Sequence, residues 1–128
     1  MTKKDAAASA LIVDDDEHLQ ELLALGLEES GYKSHIVQNT ALARAWLEKN
    51  VPDLIMLDIM MPDGNGLDLC RWIKQQKALA DVPIIISSAL KDAETTQDAL
   101  EFGAVDFLRK PFTMEALREK VERVKKRS

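Results

Sequence analysis

The sequence predicts a single α/β domain in which helices cover both faces of a parallel β-sheet. Short apolar runs alternate along the chain with stretches that have the 3.6-residue period of amphipathic helices. Strands that alternate with helices are typical of parallel sheets, because each connection must cross over the sheet. The runs 54–57 and 83–86 are apolar throughout, as expected of strands buried on both faces. The length of 128 residues fits one domain of this kind.

Two strand–helix units are predicted in the first part of the chain. A first strand is expected over 10–13, and a leucine stripe of helical period then predicts a helix that ends at Gly31. A second strand follows over 34–37, and Asn39 or Thr40 can cap a second helix. The residues expected on the inner face of that helix are Leu42, Ala45, Trp46 and Leu47.

Three further units are predicted to complete the sheet. After the third strand, 54–57, a loop with proline and glycines leads into a third helix. A fourth strand over 82–86 is followed by a fourth helix over 92–102. A fifth strand is expected over 105–108, and Thr113 is expected to cap the last helix.

Composition limits the classes of protein that the chain can represent. It is 46% hydrophobic and 30% charged, as in globular domains, and its net charge of −5 argues against direct binding to nucleic acid by this domain. No apolar run is long enough to span a bilayer, and the single Cys70 fits a reducing compartment, so a cytoplasmic location is expected. We interpret residues 1–9 as a flexible leader, residues 10–126 as the domain, and residues 127–128 as a tail or the start of a linker.

Charged and hydroxyl side chains follow four of the predicted strands. Asp14 and Asp15 follow the first strand, Asp58 follows the third, Ser88 the fourth and Lys110 the fifth. In a parallel sheet these groups meet at one edge, where crowded carboxylates need a cation or an ammonium group beside them. An aspartate in such a place can act as a nucleophile and form an aspartyl phosphate.

Four segments in the same order resemble the receiver domain of bacterial two-component response regulators. The segments are LIVDDDE (11–17), LIMLDIMMPDGNG (54–66), PIIISSA (83–89) and GAVDFLRKPF (103–112). The resemblance covers nearly the whole chain from Ala10 onward. It implies a flavodoxin-like, doubly wound (βα)5 sandwich with strand order 2-1-3-4-5.

The resemblance also assigns roles to the residues at the strand ends. It implies that Asp58 is the phosphoacceptor and that Mg²⁺, or Mn²⁺, binds Asp15 and Asp58 directly and Asp14 mostly through water. The main-chain carbonyl of Met60 would be a further ligand, and Lys110 would pair with the phosphoryl group. The other residues to which it gives a role are Ser88 as switch hydroxyl, Phe107 as aromatic switch residue, and Pro111, which would form a cis peptide bond with Lys110.

The function that the resemblance implies is a phosphorylation-activated signalling switch. A histidine kinase or phosphotransfer protein would supply the phosphoryl group, and the face formed by the fourth helix, fifth strand and fifth helix would change to control an effector domain or downstream protein. Catalysis would be limited to the domain's own phosphotransfer and dephosphorylation. Homodimerisation through that face is a further hypothesis, with Asp106, Arg118 and Arg123 as candidates for pairs between subunits.

Three alternatives are less consistent with the sequence. A receiver-like scaffold that acts without phosphate would not need all the key positions, yet they are present. A haloacid-dehalogenase-like phosphatase requires an acid two residues after its nucleophile, where this chain has Met60. A flavodoxin-like electron carrier requires a phosphate-binding loop after the first strand, where three aspartates would repel the phosphate of FMN.

Overall fold

The computed structural model describes residues 8–89 and 93–127. The strands in these residues are β1 (Ala8–Val13), β2 (Tyr32–Val37), β3 (Leu54–Asp58), β4 (Met60–Met61), β5 (Gly64–Asn65), β6 (Ile84–Ser88) and β7 (Asp106–Arg109). The α-helices are α1 (Glu17–Glu29), α2 (Thr40–Leu47), α3 (Gly66–Gln75), α4 (Ala93–Glu101) and α5 (Met114–Arg127). A short 3₁₀ helix spans Lys77–Leu79. No helix in the described ranges combines the length and the apolar character that a membrane span requires.

The five long strands form one parallel sheet with the order β2-β1-β3-β6-β7. Numbered among the long strands alone, this is the predicted order 2-1-3-4-5, so the predicted fold is confirmed. β4 and β5 are separate from this sheet and pair with each other as a small antiparallel hairpin. Only a loop was predicted at this place from the sequence.

The sheet separates two hydrophobic layers. Because successive side chains of a strand point to opposite faces, Ile55 and Leu57 of β3 pack into one layer and Leu54 and Met56 into the other. The first layer also contains buried residues of α2, α3 and α4, and the second contains those of α1 and α5. All five residues of β3 are buried, which explains why its sequence does not alternate between apolar and polar residues.

The elements begin and end close to the predicted positions, with differences at both termini. β1 begins at Ala8, so residues 8 and 9 of the predicted leader belong to the strand, where Ser9 donates its N–H to the Asp53 carboxylate. α5 continues to Arg127, a residue that was predicted to belong to the tail. Gly31 ends α1 as predicted, and its φ of 93° is readily adopted only by glycine. Residue 92, the predicted start of α4, lies outside the described residues.

The inner face predicted for α2 was partly wrong. Ala43 and Leu47 are the buried residues of this helix, whereas Leu42 is 43% exposed and Ala45 is also exposed. The Asn39 side chain accepts the N–H of Leu42 and so fixes where the helix begins. From that start the helix turns Ala43 into the hydrophobic layer, where it is fully buried.

Candidate functional site

Acidic and basic side chains from three strand ends meet at the carboxyl edge of the sheet. Asp14 follows β1 directly, Asp58 is the last residue of β3, and Lys110 follows β7. The Lys110 Nζ atom lies 2.9 Å from Asp14 Oδ2 and 3.2 Å from Asp58 Oδ2. The structure therefore brings together three residues that are up to 96 positions apart in the chain.

Asp14 is held by main-chain and side-chain hydrogen bonds. Its N–H donates to the Val37 carbonyl of β2 at 3.1 Å, and its own carbonyl accepts the Gln20 side-chain amide of α1 at 2.6 Å. Asp14 Oδ1 accepts the N–H of Asp16 at 3.0 Å, and Asp16 in turn caps α1. These contacts fix the acidic segment while Asp15 remains exposed. The contribution of Gln20 was not predicted, because nothing in a single sequence indicates which polar residue of α1 faces the strand end.

Asp58 lies where β3 passes into the small hairpin. Its Oδ1 atom accepts the Met60 N–H at 3.3 Å. Gly66, the first residue of α3, lies directly against this point, and its N–H donates to the Ile59 carbonyl at 2.6 Å. A Cβ atom at Gly66 would meet the carbonyl oxygen of Asp58, so only glycine allows the chain to return so close to the strand end.

The three charged groups at this edge are almost fully removed from solvent. The exposed fractions of their side chains are 1% for Asp14, 10% for Asp58 and 12% for Lys110. Burial raises the pKa of Asp58 above its ordinary value and the negative charge of Asp14 raises it further, while Lys110 and the Met60 N–H oppose this only in part. Burial alone would lower the pKa of Lys110, but its hydrogen bonds and charge interactions with Asp14 and Asp58 raise it. Two buried carboxyl groups therefore share a single ammonium group.

Asp15 adds a third carboxylate beside this pair. One oxygen from each of Asp14, Asp15 and Asp58 can be chosen so that all three lie within 4.8 Å of one another. Hard cations such as Mg²⁺ prefer oxygen ligands of this type, and a divalent ion would balance the negative charge that Lys110 leaves uncompensated. The donor set thus fits a magnesium site.

Comparison with protein families decides the classification of this chain. Residues 10–122 match the model of the response regulator receiver domain. The chain belongs to this family. Receiver domains of response regulators are phosphorylation-activated signalling switches, and the alternatives considered from the sequence are not favoured.

Individual relatives of this receiver domain agree with the classification. The chain is 36% identical over 118 residues to the phosphate regulon transcriptional regulatory protein PhoB of Pseudomonas aeruginosa, covering 92% of this chain and 52% of that protein. It is 38% identical over 120 residues to the transcriptional regulatory protein GltR of the same organism, covering 94% of this chain and 50% of that protein. The chain therefore spans about half the length of these two relatives.

Solved structures show the same fold. A putative response regulator from Chloroflexus aurantiacus superimposes with a TM-score of 0.87 at 31% identity, covering 93% of this chain and 98% of that one. The chemotaxis response regulator CheY4 of Vibrio cholerae also gives a TM-score of 0.87, at 27% identity, with 93% of this chain and 99% of that chain covered.

The two serines at the end of β6 belong to opposite faces of this receiver domain. Ser88 follows Ile84 and Ile86 in the strand alternation and so lies on the layer of α3 and α4, where it is fully buried. Its carbonyl accepts the N–H of Lys110 at 2.8 Å, which ties the ends of β6 and β7 together. Ser87 lies on the other layer, and among the described residues its buried hydroxyl oxygen has no hydrogen-bond partner.

Phe107 and Pro111 flank the carboxyl end of β7. Phe107 is buried on the same layer as Ser88 and is paired in register with Ile86. The Lys110–Pro111 peptide bond is cis. Ser88 and Phe107 are therefore near neighbours on adjacent strands, with their side chains on the same face of the sheet.

The residues suggested for contacts between subunits have partners within the chain. Asp106 pairs with Lys120 at 2.9 Å and with Arg123 at 3.8 Å, both on α5. Arg118 pairs with Glu29 of α1 at 3.2 Å. A pairing of Asp106 or the two arginines with a second subunit would have to replace or share these contacts.

Proposed function

We propose that Asp58 is the phosphoacceptor of this receiver domain and that phosphorylation is catalysed by the domain's own site residues. The observation that carries the proposal is the position of the Asp58 carboxylate at the carboxyl edge of β3, with Lys110 3.2 Å away and Asp14 beside the same ammonium group. One oxygen of Asp58 would attack phosphorus, a new oxygen–phosphorus bond would form, and the bond to the leaving group would break. The leaving group would be the imidazole of a phosphohistidine or the acetate of acetyl phosphate.

Asp15, Asp58 and the main-chain carbonyl of Met60 are proposed to hold Mg²⁺ or Mn²⁺ directly, and Asp14 to act mostly through water. The clustering of the three carboxylates supports this assignment. When bound, the ion supplies charge neutralisation for the transferring phosphoryl group. Lys110 would keep its contact with Asp14 and exchange the Asp58 carboxylate for a phosphoryl oxygen. The ammonium group would then have a second anionic partner both before and after transfer.

Ser88 and Phe107 are proposed to transmit phosphorylation to the face of α4, β7 and α5. Their common layer supports this route, since a hydroxyl drawn toward the phosphoryl group at the strand end would leave space beside Phe107. The phosphoryl group must bind the active arrangement more strongly than the inactive one for such a switch to operate. Phe107 lacks a hydroxyl group, so its contribution would come from packing and not from a hydrogen bond to a partner.

The proposed partners are a histidine kinase or phosphotransfer protein on the input side and an effector domain or downstream protein on the output side. Two relatives are named as transcriptional regulatory proteins and are about twice as long as this chain, which supports control of an effector domain. A homodimer through the face of α4, β7 and α5 is also proposed, with Asp106, Arg118 and Arg123 at its rim. Because such exposed pairs are individually weak, sedimentation with and without a phosphoryl mimic would be the direct test.

The decisive experiment is intact-mass analysis after incubation with acetyl phosphate and Mg²⁺. The samples would be the wild type, Asp58→Asn and the control Asp53→Asn, which changes the aspartate just before the opposite end of β3. We expect one added phosphoryl group in the wild type and in the control, none in Asp58→Asn, and none when Mg²⁺ is chelated. A gain in Asp58→Asn would show that another residue is the phosphoacceptor. Absence of any gain, also with purified histidine kinases, would favour the phosphate-independent scaffold.

A further inference from the structure

The hairpin of β4 and β5 is held at its tip by a different part of the fold. Asp63, at the turn of this hairpin, accepts the N–H of Thr40 on Oδ1 at 2.9 Å and the N–H of Ala41 on Oδ2 at 3.0 Å. These are the first two residues of α2. The hydrogen bond from Thr40 is the main cause that lowers the pKa of Asp63, so the carboxylate is ionised at neutral pH. One exposed carboxylate thus joins the hairpin to the amino terminus of α2, where the helix dipole favours a negative charge.

This tie adds a hydrogen-bonded anchor to a hairpin whose apolar anchor is Met61, which is buried in the layer of α2, α3 and α4. Each strand of the hairpin has two residues, with Met60 opposite Asn65 and Met61 opposite Gly64, and such a short ribbon is not stable alone. The other hydrogen bonds of the hairpin lead to its neighbours in sequence, as when Asn65 caps α3 by accepting the Leu67 N–H at 2.7 Å. In the described part of the chain, the Asp63 carboxylate is the side chain that bonds the hairpin to an element distant in sequence.

We propose that Asp63 is a positioning residue that holds the Met60 main-chain carbonyl in place for the divalent cation. The inference rests on the proposed function, in which the Met60 carbonyl is a ligand beside Asp58. Met60 begins the ribbon whose tip Asp63 fixes, so release of the tip lets β4 move relative to the strand end. Because linkage is reciprocal, a cation that draws the Met60 carbonyl into place must also tighten the Asp63 cap on α2.

Two variants remove a cap from α2 but differ in their effect on the hairpin. Asp63→Ala removes the bonds to Thr40 and Ala41 and frees the tip. Asn39→Ala removes the bond to the Leu42 N–H, 2.8 Å long, without touching the hairpin. Asp63→Asn keeps one acceptor oxygen and should restore part of the tie. Circular dichroism would first establish that each variant is folded. If Asp63→Ala does not fold, Asp63→Asn still allows the test.

Calorimetric titration with MgCl₂ measures the cation affinity of the four proteins without any phosphotransfer. We expect Asp63→Ala to bind Mg²⁺ about threefold to tenfold more weakly than the wild type. Loss of a contact that orients a metal ligand typically weakens binding by about 10–100-fold, and the effect here should be at or below the lower limit because Asp63 is exposed. Asp63→Asn should lie between the two, and Asn39→Ala should match the wild type. Equal affinity of Asp63→Ala and the wild type, or equal weakening by Asp63→Ala and Asn39→Ala, would overturn the proposal.

Amide hydrogen exchange supplies a second readout. Mg²⁺ should slow the exchange of the Thr40 and Ala41 amides in the wild type but not in Asp63→Ala. If the wild type binds Mg²⁺ with no change at these amides, the coupling to α2 is refuted while the proposed metal site stands. If the wild type binds no Mg²⁺, the metal role in the proposed function fails, and the role of Asp63 fails with it.

Discussion

Replacement of Lys110 by methionine should destabilise the metal-free protein by about 3–5 kcal/mol at neutral pH, the usual cost of removing one partner of a buried ion pair. Methionine keeps most of the apolar stem, so the change removes the ammonium group with little loss of packing. The two carboxylates that Lys110 contacts, Asp14 and Asp58, are 1% and 10% exposed and would be left without their buried cation.

The magnitude follows from the two short distances. At 2.9 Å and 3.2 Å, each attraction amounts to about 5–6 kcal/mol with an effective dielectric constant of about 20. The cost of burying the ammonium group, which the variant no longer incurs, offsets a large part of this sum. The remaining loss is also limited because a carboxylate without its cation can take up a proton.

The loss should depend on pH in a defined direction. The pKa of Asp58 is already raised by burial and by Asp14, and removal of Lys110 would raise it further. A carboxyl group whose pKa is higher in the folded than in the unfolded protein contributes stability at pH values below its unfolded-state pKa, ordinarily 3.8 for this group. That contribution is lost as the pH rises through the folded-state pKa. The variant should therefore approach the wild type as the pH falls from 7 toward 4. Because the pKa of Lys110 is raised, the wild type should lose the stability that this ammonium group contributes as the pH rises above 10.5. Lys110→Met has no such group, so this loss should be absent from the variant.

Urea denaturation at pH 7 and pH 4, with chelator and with Mg²⁺, would measure these differences. Lys120→Met is a matched control, because Lys120 also forms a 2.9 Å pair, with Asp106, but both side chains are 23% exposed. That pair should contribute at most about 1 kcal/mol. Added Mg²⁺ should narrow the gap between Lys110→Met and the wild type. A loss for Lys110→Met no larger than for Lys120→Met at pH 7 would refute the argument.

Two further substitutions test the packing around the strand ends. Gly66→Ala would place a Cβ atom against the Asp58 carbonyl and 2.8 Å from the Ile59 Cα, so it should lower the free energy of unfolding by at least about 1–3 kcal/mol and slow phosphorylation by acetyl phosphate. The control Gly64→Ala, where the nearest atom is 3.7 Å away, should change neither the stability nor the rate. If the two variants have the same stability in urea and the same intact-mass time course, the steric reasoning is contradicted. Ser87→Ala should raise the free energy of unfolding by about 1 kcal/mol, because it removes a buried hydroxyl that has no partner in the described structure, and a loss of stability in urea would show that the hydroxyl is bonded.

The sequence predicted the sheet well because its signals are local and strong. β3 is apolar up to Asp58 and β6 is apolar up to Ser87, which identifies doubly buried strands without knowledge of their neighbours. The strand order came from the resemblance to receiver domains and not from periodicity, since five short strands can be ordered in many ways. The meeting of Asp14, Asp58 and Lys110 followed from the parallel sheet itself, because it requires only that all carboxyl ends lie at one edge.

What the sequence did not predict depends on contacts between distant segments. The inner face of α2 was predicted correctly at Leu47 and wrongly at Leu42, where the next residue, Ala43, is the buried one, since the stripes that begin at either position have helical period. The choice between them depends on where Asn39 and Asp63 anchor the helix. The hairpin of β4 and β5 is too short to have a periodic signal, so the residue that ties it to α2 was overlooked.

The distinction between Ser87 and Ser88 shows how strand alternation directs the proposed switch. The two residues are adjacent in sequence and both are buried, but alternation places them on opposite layers. Ser87 shares its layer with Ile85 and with α1 and α5, whereas Ser88 shares the layer that contains Phe107 and α4. In the proposed switch, a group bound at the carboxyl edge near Asp58 would act on the face of α4, β7 and α5 through Ser88. A shift of β6 by one residue would turn this hydroxyl toward α1 and α5, away from Phe107.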